Sequence, residues 1–214
     1  MNRSTGWKPD LAEHVAHAHG LTTDERMERY GVTRLPVSTS KRMMQMCFVR
    51  DQFESSACVG FTVAGATYAR LRFQGFEPEL FSPLTPYNGA RQMEGIYKGK
   101  ELPDDGSHPF LAFSFIQTHG LTHESILPWE WLTYYDRVRE ELDLDVFQKA
   151  SQFRISNFSR IDETGDDRVD VVMQALASEH VVPLGMQVGR EFNKYRKGLG
   201  PVGIEVGPGL GGHM

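Results

Sequence analysis

The stretch that most constrains this chain is Arg50-Asp51-Gln52-Phe53-Glu54-Ser55-Ser56-Ala57-Cys58-Val59-Gly60-Phe61, where a polar loop carrying one glutamine runs into an apolar segment that begins at a cysteine. Phe61, Val63, Ala64, Ala66, Tyr68, Ala69 and Leu71 have the close apolar spacing of a buried helix, and Gly75 with Pro78 supplies its stop. The spacing therefore predicts a helix whose first residue is Cys58. The N–H groups and positive dipole end of such a helix lower a thiol's pKa from the roughly 8.5 of a free cysteine. Gln52 lies six residues upstream, within reach across a tight loop for its amide to face an oxyanion forming beside the sulfur. Taken alone, a cysteine ahead of an apolar helix is usually an inert core residue.

The loop residues resemble the active-site signature of the papain-like cysteine peptidases, D/N-Q-G-x-x-G-x-C-x-A/G-F. Asp51-Gln52, Cys58, Gly60 and Phe61 match it in register, and the variant C-V-G-F resembles the bacterial and phage branch. Phe53 and Ser56 stand where the signature has glycines, and Ser55 where many members carry a disulfide cysteine. Further segments extend the likeness. Gly6-Trp7-Lys8-Pro9-Asp10-Leu11 is similar to a G-W-x-P-D leader, and Leu35-Pro36-Val37-Ser38 to the start of the mature domain, with Ser40 in place of the usual Asp. Phe81-Ser82-Pro83, Tyr87, Ala90-Arg91 and Glu94-Gly95 follow the family's L-S-P-x-x-x-Y-x-x-A-R-x-x-E-G pattern. Gly120-Leu121, Glu124-Ser125 and Pro128-Trp129 follow the pattern that closes its first lobe.

The resemblance implies an α+β, two-lobed papain-like fold. Residues 1–34 form an extension and residues 35–214 the domain, mainly helical over 35–150 and β-rich, as an incomplete barrel, over 151–214. Local signals agree in outline. Ser82-Pro83 begins a second helix running through Tyr87, Ala90, Met93 and Ile96 to Gly99, and a third is expected from Pro109 to Thr118, stopped at Gly120. Trp131 to Lys149 is charged and amphipathic, with Leu132, Tyr135, Val138, Leu142, Val146 and Phe147 near helical spacing, and reads as an insertion between lobes. Phe153 to Ile161 alternates apolar and polar residues as a strand does. A helix over Asp167 to Ser178, with Val169, Val172, Met173 and Leu176 inward, then precedes an apolar strand from Val181 to Val188.

The same resemblance assigns roles. Cys58 is the nucleophile, His213 in the closing Gly211-Gly212-His213-Met214 the general base, and Gln52 an oxyanion donor. In the Asp104-Asp105-Gly106-Ser107 turn, Gly106 and Ser107 are expected to take substrate backbone as an added strand, although the turn reads equally well as a plain helix start. Leu184 is expected to line an apolar pocket for the substrate residue second from the scissile bond, and Gly212 to border the substrate. By itself a histidine one residue from the C-terminus is more often part of a disordered tail. The family continues past this histidine with an orienting Asn or Gln in an N-S-W-G motif and closing strands. No counterpart follows here, so the resemblance implies a C-terminally incomplete domain.

Composition limits the alternatives. A chain of 214 residues with 40% hydrophobic residues can bury a real core, and a net charge of −5 gives no electrostatic reason to expect nucleic acid or an anionic membrane as partner. No apolar run approaches the roughly 18 to 20 residues of a membrane span, and Met1 to Gly6 lacks the apolar core of a secretory signal, which points to a cytoplasmic protein. Two cysteines, Cys47 and Cys58, make no disulfide framework. His14, His17 and His19 have no acidic or cysteine ligand at a partner spacing and read as a solvated segment, so neither metal nor other cofactor is expected. The expected activity is cleavage of polypeptide substrates through a thioester. A catalytically incompetent scaffold of the same fold is the second reading, and a transferase or amidase using the same dyad a third.

Overall fold

The computed structural model of the chain describes residues 49–95, 101–189 and 211–214. The extension over 1–34, the start at Leu35, Cys47, the three histidines of the leader and the helix end expected at Ile96 to Gly99 lie outside the described residues. Six helices and two strands follow in order: α1 (Cys58–Phe73), α2 (Leu84–Met93), α3 (Pro109–Thr118), α4 (Tyr134–Arg137), α5 (Leu144–Ala150), α6 (Gly165–Ala177), β1 (Met186–Val188) and β2 (Gly211–His213).

Helix α1 starts at Cys58, and its first hydrogen bond runs from the Phe61 N–H to the Ala57 carbonyl at 3.1 Å. Alanines at 64, 66 and 69 favour the helix, and Arg70 and Arg72 in its last turn complement the dipole. Gly75, with φ +85°, and Gly120, with φ +95°, end the chain's turns after α1 and α3 where the sequence places those stops. α2 is the central pillar, with every residue from Leu84 to Arg91 buried. α1 and α3 pack against it through two glycines. A Cβ on Gly60 would lie 2.3 Å from the Pro83 carbonyl oxygen, and one on Gly89 would lie 2.5 Å from the Phe115 ring. Both contacts are backbone to neighbour, so only a residue without a side chain allows them.

A helix buried on all sides must satisfy its polar groups internally. Ser82, ahead of the Pro83 N-cap, accepts the Leu84 N–H at 3.3 Å, and the Thr85 and Thr122 hydroxyls pair with each other. Asn88 donates to the carbonyls of Arg137 and Glu140, each at 2.8 Å, which fastens the segment around α4 to the pillar. The core around these helices takes in Cys58, Val59, Val63, Phe81, Leu84, Tyr87, Phe115, Ile116, Leu121, Trp129, Tyr134, Val138 and Leu142.

The amphipathic stretch 131–149 contains two short helices, α4 and the start of α5, with Asp143 capping the second through the Val146 N–H at 2.9 Å. Leu132 and Tyr135 are exposed. Phe153 to Ile161 forms no strand. Phe153 packs on Phe81 and His123, and Phe158 on Phe110 and Phe113, so the apolar positions serve the helical core rather than a sheet face. In α6 the buried residues are Val171, Gln174 and Ala175, while Val169 is exposed. Among the described residues the β structure includes an antiparallel ribbon, in which Met186 faces His213, Gln187 faces Gly212 and Val188 faces Gly211, an isolated bridge from Phe81 to His123, and a bridge position at Ser107. The strand expected from Val181 is thus confined to Met186–Val188. No helix among the described residues is long and apolar enough to cross a membrane.

Candidate active site

The loop ahead of Cys58 is held by its own backbone. The Gln52 carbonyl accepts the Ser55 N–H at 3.3 Å and the Ser55 hydroxyl at 2.7 Å, and the Gln52 side-chain Nε2 donates to the Ser55 carbonyl at 2.9 Å. Within this turn Phe53 sits at φ +57°, a left-handed conformation that disfavours a side chain by about 1–2 kcal/mol. The family signature has glycine at this position. The strain is offset by packing: the Phe53 ring stacks on Trp129 and meets Trp131 and Tyr134 at centroid distances of 5.9, 5.0 and 5.1 Å. Trp129 also donates its indole N–H to the Asp51 carbonyl at 3.0 Å, and the Asp51 carboxylate accepts the Phe53 N–H at 2.8 Å. Upstream, Arg50 pairs with Glu124 at 2.6 Å and donates to the Phe81 carbonyl at 3.0 Å.

Cys58 is 1% exposed and forms no disulfide. Ser55, Ser56 and Ala57 before it are also buried. No acidic residue stands in the first turn of α1 to oppose an anion there.

The turn at Asp104–Ser107 is tied to the loop ahead of Cys58 by Asp104 and Tyr87, which the sequence did not mark as site residues. The Asp104 carboxylate accepts the Ser56 N–H through both oxygens, at 3.0 and 3.2 Å, and the Tyr87 hydroxyl at 2.6 Å. The Tyr87 oxygen in turn accepts the Gly106 N–H at 3.2 Å. Burial above all, partly countered by Arg91 and reinforced by Asp104, pushes the Tyr87 hydroxyl far above its ordinary value, so it stays a donor. Arg91 lies fully buried over the Tyr87 ring, 3.8 Å from its centroid, and donates to Asn88 Oδ1 and to the carbonyls of Tyr87, Pro103 and Val138. An arginine one turn after a tyrosine was the available signal, since the i, i+4 spacing puts both on one face.

The expected site residues fall as follows. Gln52 and Cys58 bracket one turn. Gly106, at φ +98°, and Ser107 are buried in the adjoining turn, and the Ser107 hydroxyl is buried with no hydrogen-bond partner. The Gly106 N–H is taken by Tyr87. His213 and Gly212 lie on β2, opposite Met186 and Gln187, and Met214 next to them packs against the core that contains Cys58. Leu184 is 63% exposed, in the irregular segment ahead of β1. None of these residues lines the surface depression of about 390 Å³ formed by Glu101, Tyr135, Asp136, Arg139, Glu140 and Glu141.

Three mutually packed helices, the first opening on a buried cysteine behind a tight glutamine loop, frame the candidate site. Among solved structures the chain is similar to xylellain, a cysteine protease from Xylella fastidiosa, with a TM-score of 0.60 and 18% sequence identity. The match covers 83% of this chain and 65% of that one, so the chain spans a little under two thirds of that protein's length. No protein-family model and no curated protein sequence matches. At this identity the likeness concerns the fold.

Proposed function

We propose that the chain is a cysteine peptidase in which Cys58 is the nucleophile and His213 the general base. The observation that carries this reading is the start of α1 at Cys58, together with Met214 packed on the same core, which brings the chain segment bearing His213 to the helical side of the molecule. The fold it shares with a cysteine protease supports the same reaction class. The Cys58 thiolate attacks the carbonyl carbon of a peptide bond. The imidazolium gives its proton to the leaving amine as the C–N bond breaks, and water then cleaves the thioester with the imidazole as base. Gln52 and the Cys58 backbone N–H hold the oxyanion, and an amide nitrogen has a second N–H beside the one given to Ser55. Losing one such donor elsewhere costs about 10²–10³ in kcat. Gly106, Ser107, Leu184 and Gly212 border the substrate, with the Ser107 hydroxyl, which has no hydrogen-bond partner among the described residues, as a group for its backbone.

The experiment is substitution at both cysteines. Cys58→Ala is expected to abolish peptide hydrolysis and labelling by an epoxide thiol inhibitor, and Cys47→Ala to leave both intact. The reverse pattern overturns the assignment. The second reading, a scaffold without competent chemistry, is favoured by the engaged Gln52 amide and by the depth of Cys58. It predicts a correctly folded protein whose Cys58 resists thiol reagents at every pH at which the fold persists.

A further inference from the structure

Two turns must keep a fixed spacing for the proposed reaction: the one before Cys58, which sets the sulfur, and the one at Gly106, which sets the substrate backbone. They lie 48 residues apart, the separation between Ser56 and Asp104. A single carboxylate joins them. Oδ1 of Asp104 takes both the Ser56 N–H, shared with Oδ2, and the Tyr87 O–H, and the Tyr87 oxygen passes the connection on to the Gly106 N–H. Tyr87 cannot give way sideways, because its side chain is fully buried between the pillar helix and the Arg91 guanidinium. Arg91 fastens the far side of the same turn through the Pro103 carbonyl. Arg91 also supplies positive charge near the Asp104 carboxylate.

We propose that Asp104 is a positioning residue that locks the nucleophile loop to the substrate turn, so that the sulfur and the docked peptide backbone keep one geometry. This rests on the peptidase reading for its kinetic consequence, but not for its structural one. Oδ1 of Asp104 accepts both the Tyr87 O–H and the Ser56 N–H, and Oδ2 accepts the Ser56 N–H as well. An asparagine oxygen at the Oδ1 place can still accept both donors, but its NH2 at the Oδ2 place would face the Ser56 N–H donor to donor, so Asp104→Asn weakens the Ser56 arm without removing the lock. Tyr87→Phe removes the relay and leaves the Gly106 N–H without its acceptor. Misplacing a reacting group by about 1 Å costs on the order of 10²-fold in rate.

The test uses the full chain and two readouts on each of Asp104→Ala, Asp104→Asn and Tyr87→Phe. Hydrogen exchange is followed in peptides covering 52–58 and 104–108, and kcat and KM are measured on a fluorogenic peptide, normalised to folded protein. The expected result is that Asp104→Ala speeds exchange in both peptides and lowers kcat/KM by about 30- to 100-fold. Asp104→Asn should fall between it and the unsubstituted chain. Tyr87→Phe added to Asp104→Ala should cost little more, because the two act through one chain of bonds. Faster exchange at 104–108 alone, with 52–58 unchanged, overturns the lock. So does a folded Asp104→Ala protein with unaltered kcat/KM. Should the unsubstituted chain cleave no peptide while both segments still loosen together in Asp104→Ala, the structural lock stands and the peptidase reading falls.

Discussion

Alanine placed at Gly60 and at Gly65, one and a half turns apart on α1, should move stability in opposite directions. At Gly65 an added Cβ meets nothing within 4 Å, and the position is exposed. The change there removes backbone freedom from the unfolded chain and should stabilise by about 0.5–1 kcal/mol. At Gly60 the same methyl would lie 2.3 Å from the Pro83 carbonyl oxygen and 2.8 Å from the Tyr87 Cβ. Non-bonded carbon contacts sit at about 3.5–4.0 Å, so α1 and α2 must part by roughly 1 Å. Overpacking costs typically about 1–3 kcal/mol, and a clash against backbone belongs in the upper half of that range. Subtracting about 1 kcal/mol of helix propensity leaves a net loss of about 1–2 kcal/mol. The two variants should then differ by about 2–3 kcal/mol, or roughly 5–10 °C in melting temperature for a domain of this size. Urea denaturation followed by circular dichroism measures the difference directly. Gly60→Ala equal in stability to Gly65→Ala would refute the close approach of the two helices and the placement of Cys58 that depends on it.

Other outcomes follow from single sites. Arg91→Lys should destabilise by about 2 kcal/mol or more in denaturant titrations, because an ammonium cannot reach the carbonyls of Tyr87, Pro103 and Val138 together with Asn88. Phe53→Ala should be less stable than Phe53→Gly by about 1 kcal/mol, the reverse of the usual helix order, since both lose the aromatic packing but only alanine keeps the left-handed strain. His119, packed against Phe115 and Phe147, has its pKa lowered by partial burial and by the nearby Arg154 charge. The unfolded chain therefore binds a proton at His119 before the folded one does, and stability should fall as pH drops below about 6.5. His119→Gln should remove that small component from the pH dependence of the melting temperature.

Legibility of the fold followed the range of the signals. The starts and stops of α1 and α3 are local: Pro109 at a first turn and left-handed glycines at 75 and 120 act within a few residues, and the helices lie where those residues place them. The alternation at Phe153 to Ile161 is equally local, but a strand is made by its neighbour. Without a paired ladder, those side chains were recruited by Phe81, Phe110, Phe113 and His123. Phe53 read as a departure from a glycine signature, yet the backbone there is the one a glycine would take, held by aromatics about 76 to 81 positions downstream in Trp129 and Tyr134. Least legible was the Tyr87, Arg91 and Asp104 group. A buried arginine bonded to carbonyls leaves no trace in a hydrophobic pattern, and a carboxylate in a turn looks like any solvated one. Of the candidate site, the placement of Cys58 on a helix start and Gln52 in a tight loop was readable from spacing, whereas the tie between that loop and the Gly106 turn was not.

The most direct measurement is the pH dependence of iodoacetamide alkylation at Cys58, in a Cys47→Ala background, with and without His213→Ala. A thiolate stabilised by the start of α1 and by an imidazolium is expected to react near pH 6 almost as fast as at pH 8, and His213→Ala should shift the profile up toward that of an ordinary thiol, whose midpoint lies at roughly 8.5. Profiles that coincide, both rising only at or above that ordinary midpoint, would contradict the pairing of Cys58 with His213.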